Sequence, residues 1–212
     1  MYGQKGDPLM DKPMNRARFF ELLANAGLSS DDIEDIRLAY WLTKEAHRVG
    51  PTRDSGERYF EHPRDVALIL VERGHADRDT IITALLHDVL EDTYVEPRVI
   101  ICLFGSDVLN SLTDLSKQIP IFDPANGTLT GYHKKTKEEY YARLAQAPRR
   151  ERLVKGGDRL HNLGSMKESW PIERQKPKAL ETKTFILPFM WSADEALAKD
   201  IDILVEQILS TT

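Results

Sequence analysis

The stretch from Thr80 to Thr93 limits the fold most, because it carries two very different faces at helical spacing. On a helical wheel of about 100° per residue, its aliphatic side chains share one arc. The opposite arc holds an imidazole and three carboxylates, namely His87, Asp88, Glu91 and Asp92. A surface helix normally fills such an arc with lysine and glutamine. The pattern predicts a helix with chemistry on one face, although a solvated acidic face ending a helix fits the wheel equally well.

Helical periodicity also dominates the rest of the chain. One helix is predicted from Asn15 to near Gly27, and a second from the capping signature at Ser29 or Ser30 to near Gly50. The pattern predicts further helices at about 63–73, 78–91, 96–104, 106–117, 135–146, 148–165, 173–186 and 194–209. Residues 118–133 are rich in proline and glycine and are predicted to form a long loop, with no strand pair. We therefore expect an all-α helical bundle, with a flexible N-terminal tail over 1–13 and a single domain over 14–212.

Composition narrows the classes of partner. The formal net charge of −5 argues against a sequence-independent grip on nucleic-acid backbones, so no DNA partner is expected. A small phosphorylated ligand held by a few local cations remains compatible with that charge. No apolar stretch is long enough to span a bilayer, and the N-terminus lacks the apolar run of a signal peptide. We expect a cytoplasmic protein without membrane contact.

The remaining histidines, the cysteine and several aromatic residues are first assigned structural roles. Cys102 is the only cysteine, which excludes an intrachain disulfide and a cysteine-rich zinc site, and its apolar neighbours predict core packing. His47 and His75 fall near predicted helix ends and are expected to be exposed. His161 is interpreted as a buried hydrogen-bonding residue rather than a second ligand, and Trp170 as a core or interface aromatic.

The His87-Asp88 pair needs partners from elsewhere in the chain to form a site. His62 precedes Pro63, which restrains it toward an extended conformation. Asp158 follows two glycines that cost on the order of 1 kcal/mol each inside a helix, which indicates close approach of another backbone or of a ligand. Two imidazoles and two carboxylates suit Mn²⁺, Fe²⁺, Co²⁺ or Zn²⁺ better than Ca²⁺. Spacing alone does not establish such a site.

Three segments around these residues resemble the RelA/SpoT-type hydrolases of the HD superfamily. Residues 55–63, SGERYFEHP, resemble the SGEPYxxHP segment of that family. Residues 84–93, ALLHDVLEDT, resemble its ALLHDVxEDT segment, and residues 154–162, VKGGDRLHN, resemble VKxADRLHN. The order matches throughout, and the resemblance extends over roughly residues 30 to 190.

The resemblance implies an HD-domain helical bundle with one Mn²⁺ per chain. It implies removal of the 3′-pyrophosphate from guanosine tetra- or pentaphosphate, giving GDP or GTP. By the family's pattern, the metal ligands are the four residues His62, His87, Asp88 and Asp158, and the pair that activates water is Glu91 and Asp92. Residues implied to contact the nucleotide are Arg53, Asn162 and Ser165. Arg48 and Arg58 lie near the expected mouth and are candidates to neutralise phosphates.

The chain also departs from the family's pattern. Asp54 stands where the family has a cation, Arg58 where it has proline, and Gly156-Gly157 where it has Leu-Ala. These changes put the substrate in question more than the metal. One alternative is therefore another phosphorylated nucleotide, such as NADPH at its 2′-phosphate. A second alternative is a nucleotide sensor without catalysis, although a sensor has no need for Glu91 and Asp92.

Overall fold

The computed structural model describes residues 16–48, 58–125 and 128–211. The predicted flexible tail over 1–13 lies outside these residues, and so does Arg53. In chain order the elements are α1 (Arg16–Asn25), α2 (Ser30–Ala46), α3 (Glu61–Glu72), α4 (Arg78–Leu86), α5 (Val89–Asp92), α6 (Pro97–Phe104), α7 (Ser106–Leu115), β1 (Gln118–Phe122), β2 (Leu129–Lys134), α8 (Lys137–Gln146), α9 (Arg149–Ser169), α10 (Ile172–Glu181), a π-helical turn (Thr182–Ile186), α11 (Leu187–Ala193) and α12 (Glu195–Ser210).

The all-α class is confirmed, and the bundle is built around α4 and α9. α4 packs against α2, α3, α7 and α9, and every side chain from Thr80 to Leu86 is buried. α9 is the longest helix, and it also contacts α10, α11 and α12. Because these two helices lie at the centre, residues at the end of α4 and in the middle of α9 are held by packing on several sides. Across the described ranges, none of the helices has the length and apolarity to cross a bilayer.

Local capping signals set helix starts where the sequence predicts them. The Ser29 hydroxyl accepts a hydrogen bond of 3.1 Å from the Asp32 N–H, and Asp31 and Asp32 occupy the first turn of α2. Side-chain oxygens at this position satisfy amides that have no partner inside the helix, and the carboxylates favour its positive end. At α8, Thr136 and Glu139 form a reciprocal capping box.

The two glycines of α9 allow close helix packing. A Cβ added at Gly156 would lie 2.5 Å from the Met190 Cε and 2.9 Å from a Leu197 methyl. A Cβ at Gly157 would lie 3.3 Å from a Val66 methyl of α3. The close approach inferred from the sequence is therefore present, and its partners are the neighbouring helices.

The predicted loop over 118–133 is wrong, because an antiparallel hairpin occupies this segment. β1 pairs with β2 in a register that sets Gln118 opposite Lys134 and Pro120 opposite Tyr132. Proline cannot donate to a ladder, so it is tolerated on edge strands, and both strands of a two-stranded sheet are edges. The proline and glycine residues of the segment favour a loop prediction, so the sequence did not indicate this short strand pair.

The helix predicted over 78–91 is interrupted at the residues that carry its chemistry. α4 ends at Leu86, His87 and Asp88 form a turn, and α5 begins at Val89. Adjacent side chains on a regular helix point about 100° apart. With the helix broken here, the Nε2 of His87 and the Oδ1 of Asp88 lie 3.2 Å apart.

The C-terminal part also differs from the prediction of one helix over 173–186. α10 ends at Glu181, a π-helical turn follows, and α11 covers a segment for which no helix was predicted. Pro188 lies in the first turn of α11 and has no N–H to continue the regular hydrogen-bonding pattern. The wider turn precedes this proline.

Predictions of burial from chain position were wrong at three residues. Cys102 is exposed, because α6 packs on α7 and buries Ile100 and Phe104 instead. His47 is buried, with its ring stacked 4.6 Å from that of Tyr59. The His75 Nε2 lies 2.5 Å from an Asp194 carboxylate oxygen and its side chain is only 13% exposed. Partners from distant segments, which helix position does not reveal, cover both histidines.

Candidate metal centre and active site

Three separate elements bring the predicted ligands together. His62 is the second residue of α3, His87 and Asp88 form the turn between α4 and α5, and Asp158 lies in the middle of α9. Among the described residues, His62, His87 and Asp158 each offer a ligand atom, and these atoms lie within 4.8 Å of one another. All three side chains are buried.

The two carboxylates bridge the two imidazoles. Asp158 Oδ1 lies 3.2 Å from the His62 Nε2 and 3.8 Å from the His87 Nε2. Asp88 Oδ1 lies 3.2 Å from the His87 Nε2, and its Oδ2 lies 3.8 Å from the His62 Nε2. Two ring nitrogens and two carboxylates therefore face one small volume.

The orientation of the imidazoles fits a cation in that volume. The His87 Nδ1 lies 2.8 Å from the carbonyl oxygen of Ala84, to which only a protonated nitrogen can donate. With Nδ1 donating to Ala84, Nε2 is the nitrogen that can offer a lone pair to a cation, and it is buried without a hydrogen-bond partner within the described residues. A buried polar atom without a partner is costly, and a divalent metal ion would satisfy this one.

The carboxylates are held in their charged form. Burial by itself would raise the pKa of Asp158, but the Lys155 ammonium, 2.7 Å from its Oδ2, and His62 hold that pKa well below its ordinary value. Asn162 also donates to Asp158. Burial alone would also raise the pKa of Asp88, but His87 beside it lowers that pKa below its ordinary value. Burial alone would lower the pKa of His87, but Asp88 and Asp158 raise it to about 9, so a cation bound there would replace the proton on its Nε2. Anionic oxygens and deprotonated imidazole nitrogens are the donors that first-row divalent ions prefer.

Glu91 and Asp92 have different surroundings. The Glu91 carboxylate accepts hydrogen bonds from the Lys117 N–H and, at 3.3 Å, from the Gln118 N–H, which ties it to the start of β1. Burial raises its pKa above the ordinary value. The single proton of the Tyr59 hydroxyl is shared between Asp92 and, at 3.1 Å, Asp88. Burial likewise raises the pKa of Asp92.

A cavity of roughly 360 Å³ opens beside these groups. The four predicted ligands and Glu91 all line it, whereas Asp92 does not. α9 continues the wall away from Asp158 through residues at helical spacing, namely Asn162, Ser165, Met166 and Ser169. At a rise of about 1.5 Å per residue, this wall extends for about 16 Å. The cavity is therefore long enough for a ligand that reaches well beyond the candidate metal site.

The residues predicted to contact a nucleotide divide into two groups. Asn162 and Ser165 line the cavity. Arg48 and Arg58 do not, and each forms a surface ion pair one turn away, with Glu45 at 3.0 Å and with Glu61 at 2.8 Å. Both arginines are exposed. Arg53 lies outside the described residues.

Sequence reasoning missed the cations that do line the cavity, which are Lys117, Lys155, Arg159 and Lys178. A signal was present for one of them, because Lys155 precedes Asp158 by one helical turn and its side chain must share that face. Trp170, interpreted as a core or interface aromatic, also lines the cavity and packs under the Arg174 guanidinium at 4.1 Å. Lys117 and Lys178 come from other elements, and their convergence follows from the fold.

Comparison with known proteins assigns the chain to the HD domain family. A family model described as "HD domain" matches residues 39–188. The bifunctional (p)ppGpp synthase/hydrolase SpoT of Escherichia coli strain K12 is 34% identical over 154 residues, which are 70% of this chain and 20% of SpoT. A GTP pyrophosphokinase of Myxococcus xanthus is 35% identical over 161 residues, which are 74% of this chain and 20% of that protein. The chain thus spans about a fifth of the length of these relatives.

A solved structure extends the likeness to the fold. It is that of a metazoan ortholog of SpoT that hydrolyses ppGpp, and its TM-score is 0.68 at 23% sequence identity. The match covers 85% of this chain and 96% of the other. At that identity the likeness shows the fold alone.

Proposed function

Because this chain belongs to the HD domain family, we propose that it removes the 3′-pyrophosphate from guanosine tetra- or pentaphosphate. The products are GDP or GTP and pyrophosphate. The observation that carries this proposal is the convergence of His62, His87, Asp88 and Asp158 beside Glu91 at the wall of a long cavity. The sequence similarity to (p)ppGpp synthase/hydrolases supports this choice of substrate.

The proposed cofactor is one Mn²⁺ per chain, held by the same four residues. The donor set also suits Fe²⁺, Co²⁺ or Zn²⁺. A cation bound there would polarise a phosphoryl oxygen and lower the pKa of a nearby water. Lys155 keeps Asp158 anionic, and Tyr59 orients Asp88. Both carboxylates therefore have the charge or the orientation that binding of a cation needs.

Glu91 is the proposed general base. Its raised pKa brings its basicity closer to neutral pH, which favours proton transfer from water. Because pyrophosphate leaves whole, the water oxygen bonds to the phosphorus next to the ribose and the bond from that phosphorus to O3′ breaks. O3′ then takes up a proton. Asp92 contributes through Tyr59, which it anchors against Asp88, and is therefore a positioning residue.

The remainder of the substrate would lie along α9. Asn162 and Ser165 offer hydrogen-bonding groups to a nucleoside, and the cavity cations Lys117, Arg159 and Lys178 offer charge to its phosphates. This local group of cations allows a polyanionic ligand to bind a protein whose net charge is −5.

The test is hydrolysis by the purified chain with Mn²⁺ across a panel of nucleotides that includes ppGpp, pppGpp and NADPH. We expect pyrophosphate and GDP from ppGpp. Glu91→Gln should lower kcat by roughly 10²- to 10⁴-fold, the usual contribution of a general base. Mn²⁺ affinity should stay nearly unchanged, because Glu91 is outside the ligand group.

The glutamine variant is close in shape and retains an oxygen to accept the Lys117 and Gln118 N–H groups, so the hairpin anchor is preserved. Glu173→Gln, on the exposed part of α10, is the matched control and should leave turnover unchanged. Efficient hydrolysis of another nucleotide without turnover of ppGpp would show that the other nucleotide, and not ppGpp, is the substrate. Unchanged biological activity of Asp88→Ala would favour the sensor instead.

A further inference from the structure

The buried His62 ring is held from behind by a second histidine. The Nδ1 of His62 and the Nδ1 of His161 lie 3.0 Å apart, and the ring centroids are 4.8 Å apart. The Nε2 of His62 points the other way, to the oxygens of Asp158 and Asp88. The two nitrogens of His62 therefore face different partners.

The direction of this hydrogen bond follows from the role of His62. A neutral imidazole has one protonated nitrogen, and only the other carries a lone pair for a metal. If the Nε2 of His62 is the ligand, its Nδ1 must carry the proton and donate to His161. His161 must then accept at Nδ1 and carry its own proton at Nε2.

His161 differs in this respect from the partner of the other histidine ligand. His87 donates to the carbonyl oxygen of Ala84, which can only accept and so fixes one tautomer. An imidazole can accept or donate, so His161 fixes His62 only if something fixes His161. Asp65 is placed to do so, because its Oδ2 lies 3.7 Å from the His161 Nε2.

Asp65 is itself held in place. Its other oxygen, Oδ1, accepts from Arg64 at 2.8 and 2.9 Å. An anionic oxygen facing the Nε2 of His161 favours a proton on that nitrogen. Asp65 lies one turn after His62 on α3, and His161 lies one turn after Asp158 on α9. Each helix thus supplies one ligand and one residue behind the ligands.

We propose that Asp65 and His161 form an orienting relay that fixes the tautomer of His62 and so sets the affinity of the metal centre. This proposal rests on the metal centre of the proposed function, but it does not depend on which nucleotide is cleaved. Residues behind metal-binding histidines orient the ring and raise its basicity. His161 and Asp65 are positioning residues, since neither faces the cation volume.

The test measures Mn²⁺ binding to the metal-free full chain by calorimetry, without nucleotide. His161→Phe keeps an aromatic ring but removes the acceptor, and we expect it to weaken Mn²⁺ binding by roughly 10- to 100-fold. His161→Asn places a carboxamide oxygen near the position of Nδ1 and should recover most of the affinity. Asp65→Asn should have a smaller effect than His161→Phe, because the contact it removes is longer.

His75→Gln is the matched control, since His75 forms an imidazole–carboxylate pair with Asp194 and belongs neither to the ligand group nor to the cavity lining. It should bind Mn²⁺ as the wild type does. Unchanged Mn²⁺ affinity in His161→Phe would overturn the relay, whether or not any nucleotide is hydrolysed.

If His161→Phe also melts at a lower temperature, its weaker binding could come from lost stability, and a measurement on the wild-type chain then tests the proposal. In ¹⁵N-histidine NMR spectra of the Zn²⁺-loaded chain, we expect His62 with a protonated Nδ1 and a metal-bound Nε2, and His161 with a protonated Nε2. A protonated Nδ1 on His161, or a metal-bound Nδ1 on His62, would overturn the proposal.

Discussion

The buried pair of Lys155 and Asp158 shows how one residue prepares the ligand site. The two charged groups are 2.7 Å apart, and the Lys155 ammonium also lies 5.6 Å from the Tyr140 ring. Burial alone would lower the pKa of Lys155, but Asp158 raises it above the ordinary value. Lys155 therefore stays charged, and it compensates an Asp158 carboxylate that has little access to water.

Replacing Lys155 by methionine should expose the cost of this buried charge. Removal of one partner from a buried ion pair costs about 3–5 kcal/mol, so we expect a loss near the lower bound, because Asn162 still donates to Asp158. Saturating Mn²⁺ should restore much of the stability, since the cation binds only the folded site. Urea unfolding with and without Mn²⁺ measures both effects.

The control is Lys183→Met, because Lys183 pairs with Glu206 on the surface. It should change neither the unfolding free energy nor the response to Mn²⁺ appreciably. If Lys155→Met and the wild type are equally stable without metal, the Asp158 carboxylate does not need the Lys155 ammonium.

Which residues could be predicted depends on where their partners lie. His62, His87 and Asp158 were predicted as ligands because extended segments around them carry a recognisable pattern, and the structure brings them together. His161 was expected to be buried and hydrogen-bonded, and it forms the hydrogen bond with a ring that is only partly buried. The burial of His47 was missed, because its partner Tyr59 follows in a different segment and stacking leaves no periodic signal.

At the scale of helices and strands, the period of apolar residues predicted most of what was found. α2 begins at its capping signature, because such signals act within one turn of the chain. The turn at His87-Asp88 was missed, because the residues around it remain apolar at helical spacing. The hairpin was missed because proline and glycine usually mark loops, and its pairing joins residues across a turn.

Three glycines of α9 allow a comparison within one helix. Gly156→Ala should destabilise the protein, because the new methyl would meet Met190 and Leu197 below contact distance, and overpacking costs about 1–3 kcal/mol. The gain in helix propensity, up to about 1 kcal/mol, offsets only part of this. Gly164→Ala meets nothing within 4 Å and should stabilise by up to that same gain.

Urea unfolding of both variants checks these signs, and Gly157→Ala should fall between them, because its nearest contact is 3.3 Å. If Gly156→Ala lowers and Gly164→Ala raises the free energy of unfolding, the close packing of neighbouring helices explains why glycine stands at positions 156 and 157. A stabilised Gly156→Ala would mean that the flexible Met190 side chain moves away at little cost.

At the scale of the whole molecule, charge is distributed unevenly. The chain has 34 acidic and 29 basic residues, yet Lys117, Lys155, Arg159 and Lys178 all line one cavity. Arg159 is neutralised in part by Glu181 at 3.2 Å, and Lys155 by Asp158. Lys178 lies farther from its carboxylate neighbour, at 3.8 Å from Glu181, and its side chain is 43% exposed. It is therefore well placed to meet an entering phosphate.

Lys178→Gln should consequently raise KM for ppGpp and leave kcat nearly unchanged, because the residue is neither in the ligand group nor the proposed general base. A partly exposed charge pair contributes about 0.5–1 kcal/mol, which corresponds to a rise of roughly 2- to 5-fold. The difference from the wild type should shrink as salt increases, since ions screen exposed charges. Lys183→Gln removes the same charge outside the cavity lining, and so separates local binding from net charge. If both lysine variants raise KM equally, the acidic molecule as a whole repels the nucleotide, and the cavity cations do not select it.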